Sequence, residues 1–143
     1  MKSLSIKRFD SELPMPAYQT ERAAAFDLMA RLSMTIESLS IAYIPLNVAM
    51  KLPEGHAALL FARSSLHKRG LTLANGVGLL DEDYSGNEDE YKAAVYNFTN
   101  QTVKIERGDR IVQILVVPAI QFELLSVDTL EGPNRGAFGT TGK

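Results

Sequence analysis

The chain has 143 residues, with 15 Lys+Arg against 17 Asp+Glu and a formal charge of -2. That length makes one domain the default, and the near-neutral balance argues against a protein that coats nucleic acid. Cysteine is absent and histidine occurs twice, which excludes disulfide frameworks, thiol nucleophiles and Cys-based zinc sites and disfavours a His-rich metal cluster.

Apolar residues fall in short runs with alternating or continuous patterning, and no long stretch has the i, i+3, i+4, i+7 spacing of an amphipathic helix. The pattern predicts an all-β domain with little helix. In chain order, strands are expected over residues 4–9, 25–30, 34–36, 40–44, 47–51, 57–62, 71–73, 91–98, 102–105, 110–116 and 121–127. Many short strands at close spacing point to a sandwich or jelly roll. Turn chemistry separates them: Pro53-Glu54-Gly55, Asn100-Gln101, Arg107-Gly108-Asp109 and Pro118. The most apolar windows, Ile41 to Met50 and Ile111 to Ile120, fall short of the roughly 20 residues of a membrane span and each holds a proline. The charged start carries no secretory-type apolar segment. A soluble, cytoplasmic protein is expected, with neither a membrane nor a nucleic acid as partner.

Five segments could carry chemistry. Ala23-Ala24-Ala25-Phe26-Asp27-Leu28 sets a carboxylate in an apolar context, where it needs a cation such as Arg63 or Arg110, so structural support is its expected role. Ala62-Arg63-Ser64-Ser65-Leu66-His67-Lys68-Arg69-Gly70 offers a planar guanidinium and hydroxyl donors suited to phosphate, or else forms a solvated basic turn or short helix. Asn75-Gly76-Val77-Gly78 leads into Leu79-Leu80-Asp81-Glu82-Asp83-Tyr84-Ser85-Gly86, readable as a general base beside a pocket or as a hairpin loop with solvated charges. In Arg107-Gly108-Asp109-Arg110-Ile111-Val112-Gln113, Asp109 and Arg110 are expected to hold the turn, and Gln113 is a polar exception in an apolar run. The tail, Arg135-Gly136-Ala137-Phe138-Gly139-Thr140-Thr141-Gly142, reads as a frayed terminus or as a flap whose aromatic ring stacks on a base.

In this order the five segments resemble the five motifs of the trimeric dUTPase family, with Leu13-Pro14 and Leu52-Pro53-Glu54-Gly55 matching between them. The resemblance covers nearly the whole chain. It implies a jelly-roll or β-clip fold with mixed and antiparallel sheets, a domain over residues 1–130 and a mobile glycine-rich arm over 131–143. It also implies a homotrimer with shared active sites and Mg²⁺-dependent hydrolysis of dUTP to dUMP and pyrophosphate, which limits dUTP pools and supplies dUMP for dTMP synthesis. By that resemblance Asp81 is the catalytic base. Arg63, Ser64, Ser65 and Gln113 bind phosphates, and Asn75, Gly78 and Leu80 read uracil. Tyr84 underlies the deoxyribose, and Arg135, Phe138, Gly139, Thr140 and Thr141 close the arm over the substrate. Mg²⁺ rides on the triphosphate, with Asp27 as a candidate contact through water. Asp27, Asp109 and Arg110 support the structure.

Three departures from the family pattern stand out. The spacing from Arg135 to Phe138 is shorter than usual, Ala25 replaces a glycine, and Asn87-Glu88-Asp89-Glu90 adds about three residues after Gly86, in the manner of a bulge or longer hairpin tip. A dCTP deaminase of the same fold would need a glutamate just before Tyr96-Asn97, where this chain has Ala93-Ala94-Val95. A non-catalytic nucleotide-binding regulator is the alternative from another functional class.

Overall fold

A computed structural model describes residues 3–139. Thr140 and Thr141, two of the expected phosphate contacts, lie outside the described residues. The strands are β1 (Ser5–Arg8), β2 (Phe26–Met29), β3 (Met34–Ile36), β4 (Ile41–Pro45), β5 (Val48–Lys51), β6 (His56–Ala62), β7 (Leu71–Leu73), β8 (Gly78–Leu80), β9 (Lys92–Asn97), β10 (Val103–Ile105) and β11 (Arg110–Pro118). One 3₁₀ turn, Leu66–Arg69, follows β6.

The strands pair as a four-stranded sheet in the order β2-β11-β6-β8, a three-stranded sheet β4-β9-β7, and two ribbons, β1-β5 and β10-β3. Every pairing among the described residues is antiparallel, so the mixed pairing expected alongside it is not found there. The inner faces enclose one core built on Leu28, Ile44, Met50, Leu71, Ile105 and Ile114. β9 shows why the patterning works: Ala93, Val95 and Asn97 point inward while Lys92 points out, the two-residue period of a pleated strand. Asn97 is buried among apolar neighbours because its amide is spent, donating to the carbonyls of Ile36, Glu37 and Gln101 at 2.7–3.1 Å.

Ten of the eleven expected strands form within two residues of their expected ends. The eleventh, 121–127, does not. Residues 119–139 form no strand, and Ile120, Phe122, Leu124, Leu125, Val127 and Leu130 all stand in solvent, Leu124 at 93 % exposure. Alternating apolar residues make a strand only where an edge receives them, and this segment pairs with none of the described strands. β11 ends at Pro118, as expected. Proline fits because it closes the ladder opposite His56 at the strand's end.

β8 was not expected, since the glycines around it read as loop. It forms because Gly78 brings the backbone against Leu60. A Cβ at Gly78 would sit 3.0 Å from the Leu60 Cβ, and the strand pairs Gly78 with Leu60 and Leu80 with Ala58.

Candidate active site

The β8 hairpin turns at Asn75 and Gly76, where the Gly76 N–H donates to the Leu73 carbonyl at 3.1 Å and φ is +72°. Its residues open a cleft of about 390 Å³ in which Asn75, Gly78, Leu80, Asp81 and Tyr84 converge. The sequence had singled out each of these. Tyr43 from β4 and Lys92 from β9 also line it, and sequence reasoning missed both. Their only sequence signal is membership of strands, and it is the pairing of β4 with β9 that brings them beside the hairpin.

Asp81 follows β8 directly and is exposed. Its carbonyl accepts the Tyr84 N–H at 3.2 Å, a tight turn that leaves the carboxylate facing open space. It also borders a second cleft of about 870 Å³, shared with Glu54, His56 and Glu82. Glu82 is committed elsewhere, accepting the Gly55 N–H at 2.7 Å. The Tyr84 ring stacks on Tyr91 with centroids 5.9 Å apart, and its hydroxyl donates to the Glu90 carbonyl at 3.2 Å. Burial, then the charges of Asp89 and Glu90, raise the Tyr84 phenol above its ordinary pKa, so it is a neutral surface at physiological pH.

A second constellation gathers at the other end of β6. Asp27 is 6 % exposed and sits between two guanidinium groups: Arg63 Nε lies 3.2 Å from Oδ1 and Arg110 Nη1 3.3 Å from Oδ2. Arg63 Nη1 also donates to the Arg110 carbonyl at 3.2 Å. A bulge between Arg110 and Val112 in the β11–β2 ladder re-aims this stretch, so that Ile111 and Val112 are both buried while Arg110 reaches Asp27 and the Gln19 side chain. Gln113, opposite Asp27 in the ladder, donates to the Ala62 carbonyl at 3.2 Å. Asp109 closes its turn by accepting the Glu106 N–H at 2.9 Å and pairs with Arg69 at the same distance. Arg110 therefore has different partners from Asp109, although one shared contact had been expected for the two.

Ser64 and Ser65 are exposed beyond Arg63, and Ser65 makes no capping bond to the 3₁₀ turn. The turn closes on Gly70, whose φ of +79° and contact with Thr99, 2.3 Å from a hypothetical Cβ, admit only glycine. His67 is exposed on this turn, and His56 Nδ1 lies 2.8 Å from the Glu54 carbonyl.

These two constellations do not meet within the chain. In the β6–β8 register Leu80 lies opposite Ala58, which places Asp81 near Ala57, six residues before Arg63. At about 3.3 Å per residue that is about 20 Å along the sheet. Arg135, Phe138 and Gly139 are exposed on the extended tail, with Phe138 free of the body and at φ +53°.

Among the described residues no group of three or more His, Cys, Asp or Glu could hold a metal, and no helix is long and apolar enough to cross a membrane.

A family model described as dUTPase matches residues 11–142. The deoxyuridine 5'-triphosphate nucleotidohydrolase of Hahella chejuensis is 40 % identical over 142 residues, 95 % of this chain and 91 % of that one. Among solved structures, a dUTPase from Streptococcus mutans superposes with a TM-score of 0.75 at 32 % identity, covering 82 % of this chain and 98 % of its own. A mutant dUTPase from phage phi11 of S. aureus, described with a structural Mg(II) ion, shares the fold at a TM-score of 0.80 and 22 % identity, covering 92 % of this chain and 100 % of its own.

Proposed function

Because this chain belongs to the dUTPase family, we propose that it hydrolyses dUTP to dUMP and pyrophosphate, with Mg²⁺, as a cytoplasmic homotrimer whose active sites are shared between subunits. The single observation that carries the shared site is the separation along β6. A carboxylate able to take a proton and the arginine, serine and glutamine donors suited to phosphate lie about 20 Å apart in one protomer. A triphosphate can contact both only if a second copy supplies one set. The six exposed apolar side chains from Ile120 to Leu130 support the same reading, since burying each on a neighbour stabilises by roughly 1.5–3 kcal/mol.

In this reading the nucleoside enters the cleft of Asn75, Gly78, Leu80 and Tyr84. Backbone groups of the hairpin pair with the uracil edge, and the narrow fit against β8 excludes a 5-methyl group. Asp81 accepts a proton from water as its oxygen bonds to the α-phosphorus, and the bond from that phosphorus to the bridging oxygen breaks to release pyrophosphate. Arg63, Ser64, Ser65 and Gln113 from a neighbouring subunit hold the phosphate chain, and the arm brings Arg135, Phe138, Gly139, Thr140 and Thr141 over the substrate. Asp27 holds Arg63 and Arg110 in place. Arg63 and Arg110 each approach one of its oxygens, at 3.2 and 3.3 Å, which supports this role.

The residues present fit a metal that arrives on the triphosphate. Mg²⁺ takes oxygen ligands and keeps waters, and the described residues offer no protein cage that would compete for it. Bound there, it would neutralise charge on the phosphates.

The decisive test mixes two inactive proteins. Asp81→Asn and Arg63→Ala trimers, unfolded and refolded together, regain pyrophosphate release from dUTP if the two residues serve one site from different chains. Mixtures that stay as inactive as their parents would overturn the shared site. UTP, dTTP and dCTP in the same assay test the choice of base and sugar.

A further inference from the structure

The segment Asn87-Glu88-Asp89-Glu90, which follows Tyr84, ends in a buried anchor. Glu90 is 7 % exposed. Its Oε1 accepts from Arg31 Nε at 2.7 Å and from the Asn47 N–H at 3.0 Å, and its Oε2 accepts from Arg31 Nη2 at 2.9 Å. The bidentate fork and the extra amide satisfy a carboxylate that burial alone would penalise. The hydrogen bond to Glu90, with its charge, raises the Arg31 pKa above the ordinary guanidinium value. Arg31 and Asn47 are themselves fixed. The Arg31 N–H donates to the Pro45 carbonyl at 2.8 Å, and Asn47, at φ +69°, exchanges hydrogen bonds with the Asp10 backbone.

This anchor acts on Tyr84. The hydroxyl of Tyr84 donates to the main-chain carbonyl of Glu90, and its ring lies on Tyr91, the next residue, which is wholly buried and held by the Tyr91 N–H to the Val48 carbonyl at 2.8 Å. Between Tyr84 and Glu90 the chain closes a turn: the Gly86 N–H donates to Asp89 Oδ2 at 2.7 Å and the Asp89 N–H returns to the Gly86 carbonyl at 3.1 Å. At the tip, Lys7 Nζ donates to the Asn87 carbonyl at 2.5 Å. Residues 87–91 therefore tie the aromatic floor of the nucleoside cleft to β1, β5 and the segment between β2 and β3.

We propose that Glu90 and the Gly86–Asp89 turn are positioning elements that hold the Tyr84 ring rigidly and thereby sharpen rejection of ribose against deoxyribose. The proposal rests on the reading of Tyr84 as the surface under the sugar. A 2′-hydroxyl is excluded only by a wall that does not yield, and a floor tied at both its ring face and its hydroxyl resists the displacement that an extra oxygen demands.

The test measures kcat and KM for dUTP and for UTP in the full-length protein. Glu90→Gln should lower the ratio of kcat/KM for dUTP over UTP by about tenfold, through a lower KM for UTP, with kcat for dUTP kept within about threefold. Asp89→Ala breaks only the surface turn and leaves the buried ion pair, so it folds normally and should shift the ratio the same way by a smaller factor. Unchanged ratios in both variants, or equal losses for the two nucleotides, would overturn the proposal. Tyr84→Ala separates this failure from failure of the underlying reading. If Tyr84→Ala relaxes sugar choice while the two variants do not, the positioning role falls and the sugar-floor reading stands. If Tyr84→Ala also leaves the ratio unchanged, the floor reading itself falls, and the positioning role with it.

Discussion

Two aspartates lie near opposite ends of β6, Asp27 on β2 and Asp81 just after β8, and they differ in burial and in partners. At one end Asp27 is buried and bracketed by Arg63 and Arg110. At the other Asp81 is exposed, on a turn held by the Tyr84 N–H, and borders two clefts. A carboxylate set between two guanidinium groups holds them in place, whereas one at the mouth of a cleft faces whatever enters it. The same side chain is thus set for a supporting role at one end and, in the proposed reading, for chemistry at the other, by its burial and partners.

Removing each carboxylate in turn sharpens that contrast. Asp81→Asn should lower turnover by a factor on the order of 10² or more while leaving the melting temperature unchanged. A variant that kept most of its rate in a pyrophosphate-release assay would break the contrast at its chemical end. Deleting residues 136–143 should reduce turnover by about tenfold or more and leave the core equally stable, because residues 136–139 are exposed. Full activity after the deletion would remove the arm from the site. Asp27→Asn should cost about 2–3 kcal/mol in urea unfolding, since it leaves two partly buried guanidinium groups without their counter-charge. A stability loss under 0.5 kcal/mol would show that the Asp27 end is not the structural one.

The smallest effect at neutral pH concerns Tyr91, the ring stacked on Tyr84. Burial, then the neighbouring Tyr84, pushes the Tyr91 phenol up to about 12 from 10.0, and its hydroxyl is buried without a hydrogen-bond partner. Between those values the folded chain holds a proton that the unfolded chain releases, so the stabilisation is complete below pH 10 and is lost as the pH rises toward 12. The loss is on the order of 2–3 kcal/mol. Tyr91→Phe should be nearly neutral at pH 7 and should flatten the alkaline slope in thermal unfolding. An identical slope in the variant would place the titrating group elsewhere.

Much of this was legible in the chain. The strands followed from short apolar runs between turn residues, and the hairpin with Asp81 and Tyr84 followed from a glycine-rich approach to an acidic turn. Asp27 was legible as a carboxylate in need of an arginine, and it found both of the candidates. Three features were not legible, for a common reason. Residues 121–127 carry a strand's alternation but pair with none of the described strands. Lys92 and Tyr43 line the cleft only because β4 pairs with β9. Glu90 reads as one more surface acid in an acidic run, and its burial depends on Arg31, 59 positions away.

The residue order by itself determined the period of each strand, the turns between them and the residue types available for chemistry, because these depend on neighbours within a few positions. Only the tertiary structure decided that Asp27 is paired and Asp81 exposed at a cleft, that Asp81 and the Arg63 group lie near opposite ends of β6, and that the apolar segment after β11 is left exposed. Those outcomes depend on strand register and long-range pairing, where charge, burial and distance are set by residues far apart along the chain.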